Sequence, residues 1–254
     1  MLRDLTKKDW LDWLCLPEDR VPHALVLRGT RNLKTNYGKH KELLINVLEI
    51  GSPNGIFEDV LIGDYQGIAT GYASVYGDSM ASEIAHVFGV LGTTTVIQTG
   101  CCGAVVDEIL AGDIVCAAAA YCGEGASQYY APGKREVIAS PDLVNLAKRY
   151  GPDHIGMHTG KVYTTAALLA ESDMDIRRWK EEGYIAVDME TAATYAVADH
   201  FGMQCISLLF AFDNPSKGEH ILLSDADKQQ RRATGEMAMI KQVFSIVEHL
   251  YGNR

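Results

Sequence analysis

A chain of 254 residues with 47% hydrophobic side chains can bury a sizeable core, as one large α/β domain or two small ones. No Pro/Gly/Ser-rich linker divides it, so a single domain over 1–254 is expected. Its formal net charge of −10 excludes the basic surface that nucleic acid or an anionic membrane requires.

Taken in chain order, apolar and β-branched runs alternate with helical patterns. Strands are predicted at His23 to Leu27, Leu43 to Ile50 and Ile68 to Tyr76. An amphipathic helix follows over Ser79 to Leu91, with Gly92 as its C-cap. Strands then come at Thr93 to Thr99 and Asp113 to Ala120. Ser140-Pro141-Asp142 reads as an N-cap with proline at the first helical position, and Gly151 closes that helix. Ile155 to Tyr163 is a strand, Asp173 to Glu182 a helix, and Tyr184 to Val187 a strand. Thr191 to Phe201 is a helix ending at Gly202, and Cys205 to Phe212 is the last strand. Ser224-Asp225-Ala226-Asp227 reads as a capping box for a long helix to about Leu250. Several strands are continuously apolar, as strands covered on both faces are. The alternation predicts a mixed, largely parallel sheet between helical layers.

Met1 to Trp13 alternates charge with bulky apolar residues and has no apolar core of the signal-peptide kind. The longest apolar run, Ile114 to Cys122, falls far short of the ~20 residues of a membrane span. The six cysteines (15, 101, 102, 116, 122 and 205) form no CxxC pair and have no histidine at zinc spacing. Most lie in apolar runs, where cysteine serves as a small hydrophobe. A reduced, cytoplasmic location and no metal are expected.

The chemistry concentrates in two places. Val187-Asp188-Met189-Glu190-Thr191-Ala192-Ala193 is an apolar strand that ends on two carboxylates and becomes a small-residue helix. If the strand continues that far, Asp188 and Glu190 point the same way. The run to Phe212 likewise ends on a carboxylate, Asp213. Strands ending in acids build a polar pocket at the edge where open α/β sheets bind ligands.

Five segments together resemble the nucleoside phosphorylases of the trimeric/hexameric purine and uridine phosphorylase family. They are LTKKDW from Leu5, VIQTGCCGAV from Val96, GEGASQYYAPG from Gly123, VDMETAATYAVADHFG from Val187 and FAFDN from Phe210. The resemblance runs from Leu5 to the last helix. It implies an α/β fold with a central, partly barrel-like mixed sheet flanked by helices. It also implies a homo-oligomer built from dimers, a small-molecule nucleoside as substrate, and cleavage of an N-glycosidic bond.

The resemblance implies roles as well. Glu190 accepts the ribose hydroxyls and its charge favours a cationic sugar. Met189 packs on the sugar, and Gly103 in the TGCCGA block belongs to the substrate-binding set. Asp188 either hydrogen-bonds within the site or caps the helix. Asp213 protonates the leaving base, as an acid with a raised pKa at the end of a buried strand can. Purine enzymes of the family have an Asp there and uridine enzymes do not. Tyr163 holds the position that stacks on the base. Structural alternatives stand beside these roles: a macrodipole-favoured acid for Glu190, a turn residue before Asn214-Pro215 for Asp213, and a core tyrosine for Tyr163. Uridine enzymes follow this region with a Gln and an Arg that read uracil. Here Thr164-Thr165-Ala166-Ala167-Leu168 follows, which argues against uridine.

The phosphate site departs from the family. Gly29 keeps the glycine turn after the first strand, but Gln98 stands where the principal arginine is expected and Cys101 replaces the hydroxyl donor. No arginine appears around Glu49 to Asn54, where a neighbouring subunit supplies one in relatives. Arg28, Arg31 and Lys34 are the available substitutes. Phosphate is the expected co-substrate, with no cofactor. Related nucleosidases lack the phosphate arginine and use water, for which Glu83 and Glu124 are the candidate bases. A histidine that relatives lend across subunits to the 5'-hydroxyl is replaced by Leu2, with Arg3 beside it, which points to an apolar 5' group. Phosphorolysis of a purine-type nucleoside, hydrolysis, and nucleoside binding without turnover are the three readings.

Overall fold

The computed structural model describes residues 1–52 and 55–252. The elements run α1 (Lys7–Leu14), β1 (Ala24–Gly29), α2 (Leu33–Lys41), β2 (Ile45–Glu49), β3 (Val60–Tyr65), β4 (Ile68–Val75), α3 (Gly77–Leu91), β5 (Thr95–Ala104) and β6 (Ile114–Gly123). They continue α4 (Ser127–Tyr130), β7 (Glu136–Ile138), α5 (Pro141–Arg149), β8 (Met157–Thr165), α6 (Asp173–Glu181), β9 (Tyr184–Asp188), α7 (Thr191–Phe201), β10 (Gln204–Asp213) and α8 (Ala226–Tyr251). All eight predicted strands are present. β3 and β7 are additional, as are the helices α1, α2 and α4.

All the strands belong to one mixed sheet. Along it the order is β10-β6-β8-β9-β5-β1-β4-β3-β2, with β7 on β6, and a further β10–β5 pairing closes β5, β10, β6, β8 and β9 into a five-stranded ring. β1 pairs in parallel with both β4 and β5, which sets the glycine end of β1 beside the middle of β5. β10 runs parallel to β5 and antiparallel to β6. Carboxyl ends of parallel strands thus gather at one rim, the edge at which such sheets bind ligands.

Two cores cover the sheet. One is built with α3 and α7, and includes Leu27, Val96, Phe88, Ala192 and Ala196. The other is built largely with α8, and includes Val26, Ile97, Phe210, Met239 and Val243. The small residues of α7 let it lie against α3. A Cβ on Gly89 would stand 2.6 Å from the Phe201 ring, so the helices approach to backbone distance there. The Tyr195 hydroxyl, fully buried on α7, donates to the Ala117 carbonyl at 2.7 Å and accepts from the Ser207 N–H at 2.7 Å. It thereby ties α7 to β6 and β10 together.

The caps refine the reading. Gly92 and Gly202 are left-handed C-caps as expected. The long helix is capped by Asp225, whose carboxylate accepts from Lys228 N, rather than by Ser224. The Ser224 hydroxyl instead accepts from Arg232. Among the described residues no helix is long and apolar enough to cross a membrane, and no group of three or more His, Cys, Asp or Glu is placed to hold a metal ion. The six cysteines are all unpaired.

Candidate active site

β9 ends at Asp188, and the chain turns through Met189 into the N-cap position of α7, which Glu190 occupies. The strand therefore stops before the second acid, and the expected parallel aim of Asp188 and Glu190 is not found. Asp188 is buried and its oxygens are fully engaged. Oδ2 accepts from Thr191 Oγ1 at 2.6 Å, Thr191 N at 2.8 Å and Glu190 N at 3.1 Å, while Oδ1 accepts from Thr164 Oγ1 at 2.7 Å. Of its two expected roles, the cap is the one its contacts describe. It satisfies the orphan N–H groups of α7, which leaves Glu190 free of that task.

Glu190 turns the other way. Its Oε1 accepts from the Gly77 N–H at 2.8 Å. Gly77 begins α3 with φ of +82°, a conformation only glycine adopts without strain. Oε2 lies against Gly29, where an added Cβ would stand 2.6 Å from it and 3.0 Å from Gln98 Nε2. Gly29 is thus the floor beneath the carboxylate. Burial, and then the charge of Asp188, push the Glu190 pKa up to about 8. Met189 is half-buried between the two acids.

Asp213 closes β10 and is buried, its register partner being Gly103 on β5. A Cβ on Gly103 would stand 3.3 Å from Asp213 Oδ1 and 3.2 Å from Val187 Cγ1, so glycine keeps the acid and β9 apart by one atom. Burial pushes Asp213 up to about 6, with Glu219 adding to the rise and Arg232 opposing it. The turn that follows is fixed by Asn214, whose amide donates to the Val106 and Ile109 carbonyls at 2.8 and 2.9 Å. Asp213 is therefore not what holds that turn.

The two acids lie along β5, Glu190 near Gln98 and Asp213 beside Gly103. Cys101 is open to solvent yet hemmed in by protein. Burial pushes its thiol up to about 11, Arg28 opposes the rise, and both Glu190 and Asp213 add to it. Gln98 is fully buried and its amide is hydrogen-bonded at both ends. Nε2 donates to the Thr99 carbonyl at 2.9 Å, and Oε1 accepts from Thr194 at 3.5 Å.

Tyr163 is a correction. Its ring is stacked on Tyr121 at 4.8 Å and on Trp179 at 4.4 Å. These neighbours cover both faces of the ring, so no face remains for a base. α6 supplies Trp179, and the three rings belong to a satellite cluster with Val105 and Tyr184. The next residue of β8, Thr164, supports Asp188 and accepts from Ala192 N at 3.0 Å.

Arg28 is buried and pairs with Glu236 of α8 at 2.5 Å. Arg31 is exposed, with its guanidinium 4.7 Å from the Tyr76 ring, and Lys34 is exposed on α2. In the Glu49 to Asn54 segment, Pro53 and Asn54 lie outside the described residues. Glu124 is buried at a glycine turn and accepts from Ser127 N at 3.0 Å. Glu83 is exposed on α3, where it lines a cleft of about 710 Å³ with Leu2, Arg3, Asp78, His86 and Tyr130. Neither Glu190 nor Asp213 lines that cleft.

Two site residues carried no recognisable sequence signal. Glu171, between β8 and α6, has a buried Oε1 without a partner, and burial followed by the charge of Asp213 pushes it up to about 7. Arg232 of α8 donates from Nε to the Phe212 carbonyl at 2.5 Å and lies 3.9 Å over the Phe212 ring. It holds the backbone just before Asp213. In the sequence both are ordinary charges in polar stretches. The Gly77 N–H was legible in principle, as a glycine at a strand-to-helix junction.

This ring-closed sheet with acids at its rim is the fold of the nucleoside phosphorylases. Residues 61–247 match the phosphorylase superfamily, and the chain belongs to it. It is 29% identical over 178 residues to the DeoD-type purine nucleoside phosphorylase of Geobacillus sp. strain WCH70, covering 69% of this chain and 71% of that protein. The DeoD-type purine nucleoside phosphorylase of Clostridium beijerinckii is 24% identical over 191 residues, covering 72% and 75%. Among solved structures, uridine phosphorylase from Vibrio fischeri ES114 superposes with a TM-score of 0.78 at 22% identity, covering 92% of this chain and 96% of that one. The resemblance read from the motifs and the expected fold both hold.

Proposed function

We propose that the protein cleaves the N-glycosidic bond of a purine-type nucleoside with inorganic phosphate, giving free base and ribose 1-phosphate. The observation that carries this is a pair of buried carboxyls at one rim of the sheet, Glu190 against Gly29 and Asp213 beside Gly103, each held above the ordinary carboxyl range. Glu190 accepts the ribose hydroxyls through the oxygen lying on Gly29. As positive charge develops on the sugar, the ionised form of Glu190 is favoured and stabilises it. Asp213, protonated, donates to N7 of the base. The C1'–N bond breaks, the proton neutralises the departing base, and a phosphate oxygen bonds to C1'. Purine is favoured over uracil because residues 164–168 offer neither an amide nor a guanidinium to a pyrimidine edge. The same reading carries phosphate as co-substrate, no cofactor, a homo-oligomeric assembly and a cytoplasmic location.

A second reading, hydrolysis, is favoured by one observation: β5 carries the neutral, buried Gln98 and no lysine or arginine, so it provides no cation for phosphate. Base release from adenosine, inosine, guanosine, uridine and 5'-methylthioadenosine, with and without phosphate, separates the two. Phosphate-dependent release with ribose 1-phosphate as product is the expected result. Release at the same rate without phosphate, giving free ribose, overturns it. Tight nucleoside binding with no turnover across the panel establishes the binding-protein reading instead.

A further inference from the structure

Resting on the purine reading, we propose that Glu171 reads the substituent at C6 of the base and so sets the choice between 6-amino and 6-oxo purine nucleosides. Glu171 lies in the connection from β8 to α6, between a 3-10 turn over Leu168–Ala170 and the helix. Its backbone is held on both sides. Its N–H donates to the Leu168 carbonyl at 3.4 Å, and the next residue, Ser172, caps α6 in a reciprocal pair with Asp175. The side chain is half-buried, with Oε1 shut off from water and without a partner. Asp175, the neighbouring acid, is by contrast engaged by Ser172 at 2.6 Å and Arg178 at 2.9 Å. A buried acceptor left idle costs about 1–3 kcal/mol, which a ligand bringing a donor recovers.

The place of Glu171 on the rim matches the C6 edge. α6 is tied to the turn that follows Asp213, since Lys180 of α6 and Ser216 of the turn both donate to Asp107 Oδ1, at 3.0 and 3.1 Å. The Glu171 carboxyl is close enough to Asp213 to feel its charge. Purines carry N7 and the C6 substituent side by side on one edge: N7 stands beside an amine in adenine and beside an oxo group in guanine or hypoxanthine. With Asp213 donating at N7, the carboxyl next to it on this rim meets the C6 group. An ionised carboxylate only accepts, and suits the 6-amino group. A protonated carboxyl has one O–H to give, and suits the 6-oxo group. Burial, then the charges of Asp213 and Asp175, push Glu171 up to about 7, so both forms are present near neutrality. The other charged groups at this end of β10 are Arg232, Glu219 and Lys228, which act on Asp213. Asp213, at about 6, ionises first and so meets a neutral Glu171. Protonation of Asp213 serves both kinds of nucleoside and cancels in their ratio, which leaves Glu171 to set the ratio.

The test is the ratio of kcat/KM for adenosine to that for inosine, measured on the full chain with phosphate at about pH 6 and about pH 8. In the wild type the ratio rises at least ~10-fold over that interval, following the ionised fraction of Glu171. Glu171→Gln offers a donor and an acceptor at every pH, and its ratio stays within about 2-fold. Glu171→Ala offers neither and is flat as well, which decides the question should the glutamine variant fail to fold. Adenine and hypoxanthine, titrated into the same three proteins by calorimetry, show the same crossover in the wild type alone. A flat ratio in the wild type, or a slope that persists in both variants, overturns the assignment of Glu171 while purine cleavage stands. A wild-type protein that releases base from neither nucleoside overturns the purine reading, and the assignment falls with it.

Discussion

The backbone of Gly29 and the carboxylate of Glu190 are packed so closely that a methyl group on Gly29 would stand 2.6 Å from Oε2. The acid proposed to bind the sugar therefore rests on a surface that only a hydrogen atom can form. Gly29→Ala displaces Glu190 rather than the sheet. The expected result is a loss on the order of 10²-fold in kcat/KM, as for other misplacements of about 1 Å. The melting temperature should move by only a few degrees. A variant with wild-type kinetics would show that Oε2 has no part in the reaction.

Asp213 and its base proton can be separated by choice of substrate. Asp213→Asn should lower kcat with a neutral purine nucleoside by ~10²–10⁴-fold, the usual worth of a general acid. An N7-methylated purine nucleoside already carries the positive charge the proton would bring. The same variant should cleave it within about 10-fold of wild type. Equal losses on both substrates would remove Asp213 from proton transfer.

The alkaline limb is set by Asp213, held up at about 6 by burial and then by the charge of Glu219. The proton donor must be protonated, so kcat/KM for the neutral nucleoside should fall as pH rises through the Asp213 value. Glu219→Gln removes a negative neighbour, which makes the Asp213 proton easier to lose. The falling limb should then shift to lower pH, a change that a pH–rate profile resolves. An unmoved limb would dissociate Glu219 from the donor.

Glu190 carries a stability cost of the opposite kind to a salt-bridged acid. Its pKa is raised from the ordinary 4.5 to about 8. The folded state therefore holds more protons than the unfolded one between those values, and stability falls as pH rises through that window. Glu190→Gln should melt close to wild type near pH 4.5 and above it near pH 8, by on the order of 1–2 kcal/mol. Its catalytic activity should be largely lost. A stability gain that is flat with pH contradicts this account.

Asp188 should behave in the reverse manner. It satisfies two hydroxyls and two N–H groups at the start of α7. Asp188→Ala should cost about 2–4 kcal/mol, a cap loss compounded by orphaned buried donors. Denaturant midpoints of Asp188→Ala and Glu190→Gln, measured side by side, should fall on opposite sides of wild type at pH 8.

Motifs were more legible than the geometry that serves them. Strand ends, the small-residue helix and the long last helix could be read because apolar period and glycine caps coincide there. β3 was passed over because Gly63 and Asp64 interrupt its short apolar start. The turn that joins it to β4, with Gln66 and Gly67 both at positive φ, is a hairpin signal that could have found it. At the candidate site, Asp188 and Asp213 could be read from strand ends, while Gly29 and the role given to Glu190 came from the family resemblance. The division of labour between Asp188 and Glu190 was not, because it depends on where β9 stops, to within one residue. Tyr163 failed for a related reason: alternation gives a face of the sheet but not what already occupies it. Trp179, from a helix sixteen positions later, takes that place. Arg28 was named only as one of three basic residues in a loop, because nothing local distinguishes a buried arginine from an exposed one.

Ser207 and Ala117 face each other across β10 and β6, but the N–H of one and the carbonyl of the other both address the Tyr195 hydroxyl. That oxygen stands in the seam like a keystone, filling a gap between two staves with a group borrowed from a helix. The helix so locked into the barrel wall is the one whose first turn presents Glu190. The acid at the rim is therefore aligned from beneath, five residues down its own helix, and inherits its placement from the closure of the ring.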